Sequence, residues 1–218
     1  MSLALTSASR LKPEVRLAQA VSDFEVDLSG EQKAAFRNHK AKPLQSPPST
    51  QDAMRLTAEI DRAVGKGGRC LGPRLVNFLQ AAQKFAAMGD IIIGGSHCLV
   101  ACAMWTMVRT SLTLMTGFSA YMEKLSVLFM NVGRSAPRFE SMALLYPRPR
   151  DLQSSFCEYF IIVVQLCHEM LKFASKSVLK RVGSSLSDSN LAKFQTDLES
   201  LGNTIKDEVG ILMAKRLE

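Results

Sequence analysis

Between Cys98 and Met115 the chain carries one charge, Arg109, and apolar residues occupy nearly every face of the implied helix. A helix without a polar side has to be surrounded. The segment from Cys98 to Phe118 is therefore expected at the centre of the fold. Its neighbours carry stripes instead. Leu17, Val21, Phe24 and Leu28 recur at spacings of four, three and four, the signature of one helical face. Ala53, Leu56, Ile60 and Ala63 repeat it, as do Leu75, Phe78, Leu79, Ala82, Phe85 and Ala86. Met122, Leu125, Phe129 and Val132 form a further stripe. Leu152, Phe156, Tyr159, Phe160, Val163, Leu166, Cys167, Met170 and Phe173 make the broadest one. Strict alternation, the mark of a half-buried strand, is absent at any useful length. The expected fold class is all-α: a multi-helix bundle around a buried apolar central helix, closed by a long C-terminal helical hairpin. Trp105, Arg109, Phe118, Phe129 and Phe160 are its expected structural core.

The punctuation between stripes sets the boundaries. Ser29 with Gln32 reads as a capping box, and Ser49 with Asp52 opens the next helix. Ser119 is placed to cap a helix that Gly133 ends, with a short helix from Pro137 to Leu145 after it. Asp151 starts a long helix with room to run to Val182, before Gly183-Ser184-Ser185. Pro43, Pro47 and Pro48 make the stretch from Lys42 to Ser49 a linker. Residues 1–48 are thus an N-terminal helical segment and its linker, loosely docked, and residues 49–218 the helical bundle domain.

Catalysis finds no foothold in these residues. Gly65-Lys66-Gly67-Gly68 follows a helix, where a phosphate-binding loop needs a strand before it and a Ser or Thr after its lysine. The five cysteines, Cys70, Cys98, Cys102, Cys157 and Cys167, are odd in number, and four of them sit in apolar helical stretches. That pattern suits free thiols in a reducing compartment. It lacks the Cys-x-x-Cys knuckles of structural zinc. Asp188, Asp197, Glu199, Asp207 and Glu208 spread around a solvated helix instead of converging. A cytoplasmic protein without enzymatic activity, cofactor, metal or small-molecule substrate is the expectation.

Charge narrows the partners. The formal net charge is +7. Lys172, Lys176, Lys180 and Arg181 form one basic strip, and Arg148 and Arg150 a second beside Arg134 and Arg138. Either suits anionic headgroups or an acidic protein, and either equally serves as the wet face of an amphipathic helix. No aromatic residues interleave with the second cluster in the way a stacking platform for single strands requires, which argues against nucleic acid. Leu191, Phe194, Leu198, Leu201, Ile205 and Leu212 form a heptad-like seam, broken where Glu208 takes a core position. It can dock a partner helix, a second copy or the body of the domain itself. Arg109, costly in an apolar helix unless paired, is expected to pair with Glu123, Glu140 or Glu158. It also argues against a permanent membrane span.

A resemblance adds to this reading. It begins at Leu71-Gly72-Pro73-Arg74-Leu75, through Phe85 and Asp90, and continues at Ala103-Met104-Trp105-Thr106-Met107-Val108-Arg109. Gly117-Phe118-Ser119-Ala120-Tyr121-Met122-Glu123-Lys124-Leu125 follows, then Pro137-Arg138-Phe139-Glu140 and Leu144-Leu145-Tyr146-Pro147. It closes with Leu152-Gln153 and Phe156-Cys157-Glu158-Tyr159. Together these blocks, from about Val15 to Lys215, resemble the helical N-terminal domain of fungal NACHT proteins, NLR-like STAND receptors often found with ankyrin or WD repeats. Thr106 departs from the glycine that usually follows the tryptophan there, and the 218 residues contain no Walker A or Walker B segment. The resemblance implies a signalling or effector module in non-self recognition and programmed cell death. A protein partner or self-association is expected, and because some such domains act by exposing an apolar helix to membranes, the expectation extends to membrane contact on activation.

Overall fold

Two reciprocal caps fix the first helix boundaries. The Ser29 backbone N–H donates to Gln32 Oε1 at 3.0 Å, and the Gln32 N–H donates to Ser29 Oγ at 3.4 Å. The Ser49 N–H donates to Asp52 Oδ2 at 2.8 Å, with the Asp52 N–H returning to Ser49 Oγ at 3.4 Å. Each box satisfies donors that a helix start leaves orphaned. The computed structural model describes residues 13–41, 49–64, 76, 79–80, 83, 99–146, 150–176 and 188–217. Seven helices run through them: α1 (Pro13–Val26), α2 (Gly30–Ala41), α3 (Thr50–Val64), α4 (Leu99–Met115), α5 (Ser119–Leu145), α6 (Arg150–Ser175) and α7 (Asp188–Leu217). No strand occurs among the described residues, so the fold is an all-α bundle.

The apolar α4 is buried as its composition requires. Residues 103–108 are all buried, Leu112 and Met115 fully so. The helix that gathers most of the others is α6, packed against α1, α4 and α7. Its broad stripe lets it do so: Phe156, Phe160, Val163, Val164, Leu166 and Met170 are all within 2% of complete burial. Side-chain pairs give the directions. Arg16 meets Glu158 and Asp27 meets His168, so α1 runs parallel to α6. Phe139 packs on Phe156 and Tyr121 on Phe173, so α5 is antiparallel to it. Ser155 meets Glu208, while Gln165 and Glu169 line one cleft with Phe194 and Asp197, which makes α6 and α7 the expected antiparallel hairpin. It follows that α5 and α7 lie parallel, and they also pack against each other.

Three sequence expectations change. The helix α5 runs through both Gly133 and Pro137 to Leu145. Glycine costs a helix about 1 kcal/mol and an interior proline about 3, yet Val132 and Phe139 on either side of the break are each 1% exposed. Burial on both sides outweighs the local penalty. The N-cap of α5 is Phe118, without a side-chain cap bond, and Ser119 is already helical. Finally, the N-terminal segment is docked. Leu17, Phe24, Leu28 and Phe36 belong to the same buried cluster as α4 and α6, and Phe24 is completely covered. The boundary at residue 48 therefore separates stretches of sequence that share one core. The linker prolines, the 65–68 loop and residues 177–187 lie outside the described residues, so the described part of α6 ends at Ser175.

Candidate functional site

The sole charge of α4 is anchored from α3. Arg109 Nη2 lies 2.9 and 2.8 Å from the two carboxylate oxygens of Glu59, and both side chains keep a solvent-facing edge. The pairing with Glu123, Glu140 or Glu158 that sequence suggested is thus replaced. Glu158 is engaged by Arg16 of α1. The signal for Glu59 was present, since it falls three residues after Leu56, on the edge of the buried face of α3. Deeper in the bundle, Ser111 Oγ donates to the backbone carbonyl of Cys167 at 3.1 Å, tying α4 to α6. A polar side chain with no exposure needs such an acceptor.

The remaining expected core residues behave as packing. Phe129 and Phe160 are at most 1% exposed, Trp105 is 7% exposed, and Phe118 stacks edge-on against Phe173 with centroids 5.2 Å apart. Cys157 and Cys167 are free and buried. Burial pushes the Cys167 thiol up to about 12, with Ser111 pulling weakly the other way. Burial likewise raises the Tyr159 phenol. A thiol held protonated is a poor nucleophile and a poor metal ligand. No group of His, Cys, Asp and Glu among the described residues could hold a metal ion. Cys70 and Cys98 lie outside those residues, as does the side chain of Cys102.

The basic strips are only partly visible. Lys172 is exposed, 3.5 Å from Glu169, and Lys176 is half-buried just beyond α6. Lys180, Arg181 and Arg148 are outside the described residues. Arg150 opens α6, its side chain likewise outside. Arg134 and Arg138 are exposed on α5. No helix among the described residues is long and apolar enough to cross a membrane.

The seam on α7 faces inward. Leu191, Leu198 and Ile205 are buried, while Phe194, Leu201 and Leu212 pack half-buried on the same core. Docking a foreign helix there would require α7 to leave α6 and α5. Glu208 interrupts the seam as expected: its Oε1 accepts from Ser155 at 2.7 Å, and its buried Oε2 has no partner among the described residues. The apolar side chains left outside are elsewhere. Leu144 and Leu145 end α5, while Ile211 and Met213 lie near the end of α7, all more than half exposed. Because the two helices are parallel, these four residues and the exposed Lys215 and Arg216 share one end of the bundle.

A cleft of about 430 Å³ runs between α5 and α7 over a floor that includes Tyr159, Leu128 and Leu198. Asn131 and Arg134 of α5 line one wall, and Gln195, Glu199 and Asn203 of α7 the other. Sequence reasoning passed over these residues, because exposed polar positions on two separate helices acquire a shared meaning only when the helices are set side by side.

Compared with known protein families, curated proteins and solved structures, the chain matches none.

Proposed function

We propose that this chain is a non-enzymatic signalling or effector domain of a fungal NLR-like receptor, serving non-self recognition or programmed cell death. It acts from the cytoplasm, through a protein partner or its own copies, and meets an anionic membrane surface on activation. The resemblance of the Trp105, Phe118 and Tyr159 blocks supports the family. The observation that carries the reading is the clasp on α4. Residues 103–108, Ser111, Leu112 and Met115 of this largely apolar helix are buried, and its one charge is fastened to α3 by the partly exposed Arg109–Glu59 pair. Such a helix has two stable surroundings, protein or lipid, and a ligand that prefers the released state would shift the balance between them.

The test is dye leakage from vesicles of anionic phospholipid, using the full chain and a Glu59→Arg variant that repels Arg109. Leakage that rises with the variant is the expected result. Intact vesicles with both proteins, even when oligomeric, rule membrane execution out.

A second reading, a helical adaptor, draws on the end where Leu144, Leu145, Ile211 and Met213 are exposed beside Lys215 and Arg216. That combination suits an acidic protein surface with apolar contacts. Assembly with such a partner that is lost in Ile211→Asp with Met213→Asp, while leakage is unaffected, would favour it.

A further inference from the structure

We propose that the cleft between α5 and α7 is a binding site for an extended peptide segment bearing an acidic side chain. This goes beyond the effector reading and does not depend on how the domain signals.

The walls carry hydrogen-bonding groups that the fold leaves unused. The half-buried Asn131 amide makes no side-chain hydrogen bond among the described residues. Gln195 commits Nε2 to Glu199 Oε1 at 2.9 Å and keeps its carbonyl free. Asn203 commits Oδ1 to Lys206 Nζ at 3.0 Å and keeps its NH₂ free. A side-chain amide offers the same donor and acceptor pair as a peptide unit. Facing amides therefore read main chain, whatever its sequence.

Arg134 supplies the selectivity. It is exposed, lines the cleft, and forms no ion pair among the described residues. Glu199 lines the same cleft, yet it bonds Gln195. An unpaired guanidinium presents a planar fork that matches a carboxylate. Lys206, one turn beyond Asn203, adds a second positive charge. Glu199 on the opposite wall disfavours a polyanionic strand, and the one aromatic residue of the lining, Tyr159, is only 3% exposed and presents no open face to a base. A helix would need an apolar trough, whereas these walls are amides and charges.

The dimensions agree. From Gln195 to Lys206 the wall spans eleven helical steps, roughly 16 Å at 1.5 Å each. An extended chain covers that in about five residues. Gly202 brings bare backbone to the lining midway along the α7 wall.

The test uses two fluorescein-labelled pentapeptide pools, one with glutamate and one with lysine fixed at the centre, titrated with the full chain by anisotropy. Saturable binding of the glutamate pool is expected, about tenfold tighter than the lysine pool and about tenfold weakened by Arg134→Ala. Asn131→Ala should weaken both the binding and its salt-independent part. In the unaltered protein, the side-chain amide NMR signals of Asn131, Gln195 and Asn203 should shift together as peptide is added, a readout that needs no variant. Absence of saturable binding, or shifts confined to other residues, overturns the proposal. So does equal competition by N-acetylglutamate, which would make this a simple carboxylate site.

Discussion

Glu59 holds Arg109 through a single guanidinium nitrogen shared between both carboxylate oxygens, and that contact ties α3 to α4. A partly exposed pair of this kind is worth more than a fully solvated one, because each partner is half withdrawn from water. Glu59→Gln and Arg109→Met should each lower unfolding stability by roughly 1–2 kcal/mol. The double variant should recover about 1 kcal/mol relative to the sum. Urea unfolding of the four proteins measures this. Strict additivity would mean that α4 is kept in place by packing alone.

Cys167 makes the bundle sensitive to alkali. Its thiol rises from an ordinary 9.0 to about 12 because burial penalises the thiolate. Above pH 9 the unfolded chain releases this proton while the folded chain retains it. Stability is therefore fully present below pH 9 and is lost as pH climbs toward 12. The loss from this residue is about 1 kcal/mol at pH 10. The raised Tyr159 phenol acts in the same direction, starting near its ordinary 10.0. Thermal melts from pH 7 to 10.5 should fall less steeply for Cys167→Ala than for the unaltered chain. Equal slopes would show that the thiol is not shielded from water.

Two glycines in α7 offer stabilising changes. A Cβ at Gly210 would meet nothing within 4 Å, and one at Gly202 would touch Phe139 Cζ at an ordinary 3.5 Å. Alanine at either position should add about 1 kcal/mol from helix propensity, raising the melting temperature by about 2–4 °C. A lower melting temperature for Gly202→Ala would indicate that Phe139 has no freedom to accept the contact. Calorimetry of both variants distinguishes the cases.

Leu198→Asp would mislead as a probe of partner docking. Leu198 is 5% exposed within the core, so the substitution buries an unpaired carboxylate and should cost at least about 3 kcal/mol. Met213→Asp, on a side chain 55% exposed, should change stability by less than about 0.5 kcal/mol. Chemical denaturation separates the two. Comparable losses would mean that Met213 is covered in solution.

Local signals were the legible ones. The boxes at Ser29 and Ser49 and the stripe of Leu17, Phe24 and Leu28 involve neighbours in sequence, so a short window contains their whole cause. The apolar run of α4 declared its burial for the same reason. What failed needed the rest of the molecule. Gly133 and Pro137 look like helix ends until Val132 and Phe139 are seen buried on either side of them. The partner of Arg109 lies fifty residues away. The cleft has no sequence signature, since Asn131 and Gln195 become neighbours only through the parallel alignment of α5 and α7.

The docking of α1 has a consequence for the order in which the bundle assembles. The helices α5, α6 and α7 follow one another as a meander, and each closes on its predecessor through a short stretch of chain. By contrast, Arg16 reaches Glu158 and Asp27 reaches His168 across 142 and 141 residues. Contacts that close so long a loop form late, after the entropy of closure has been offset by the surface already assembled. The meander is therefore the natural nucleus and α1 the last strap to fasten. It is also the first to loosen, and amide exchange in α1 should run ahead of that in the middle of α6.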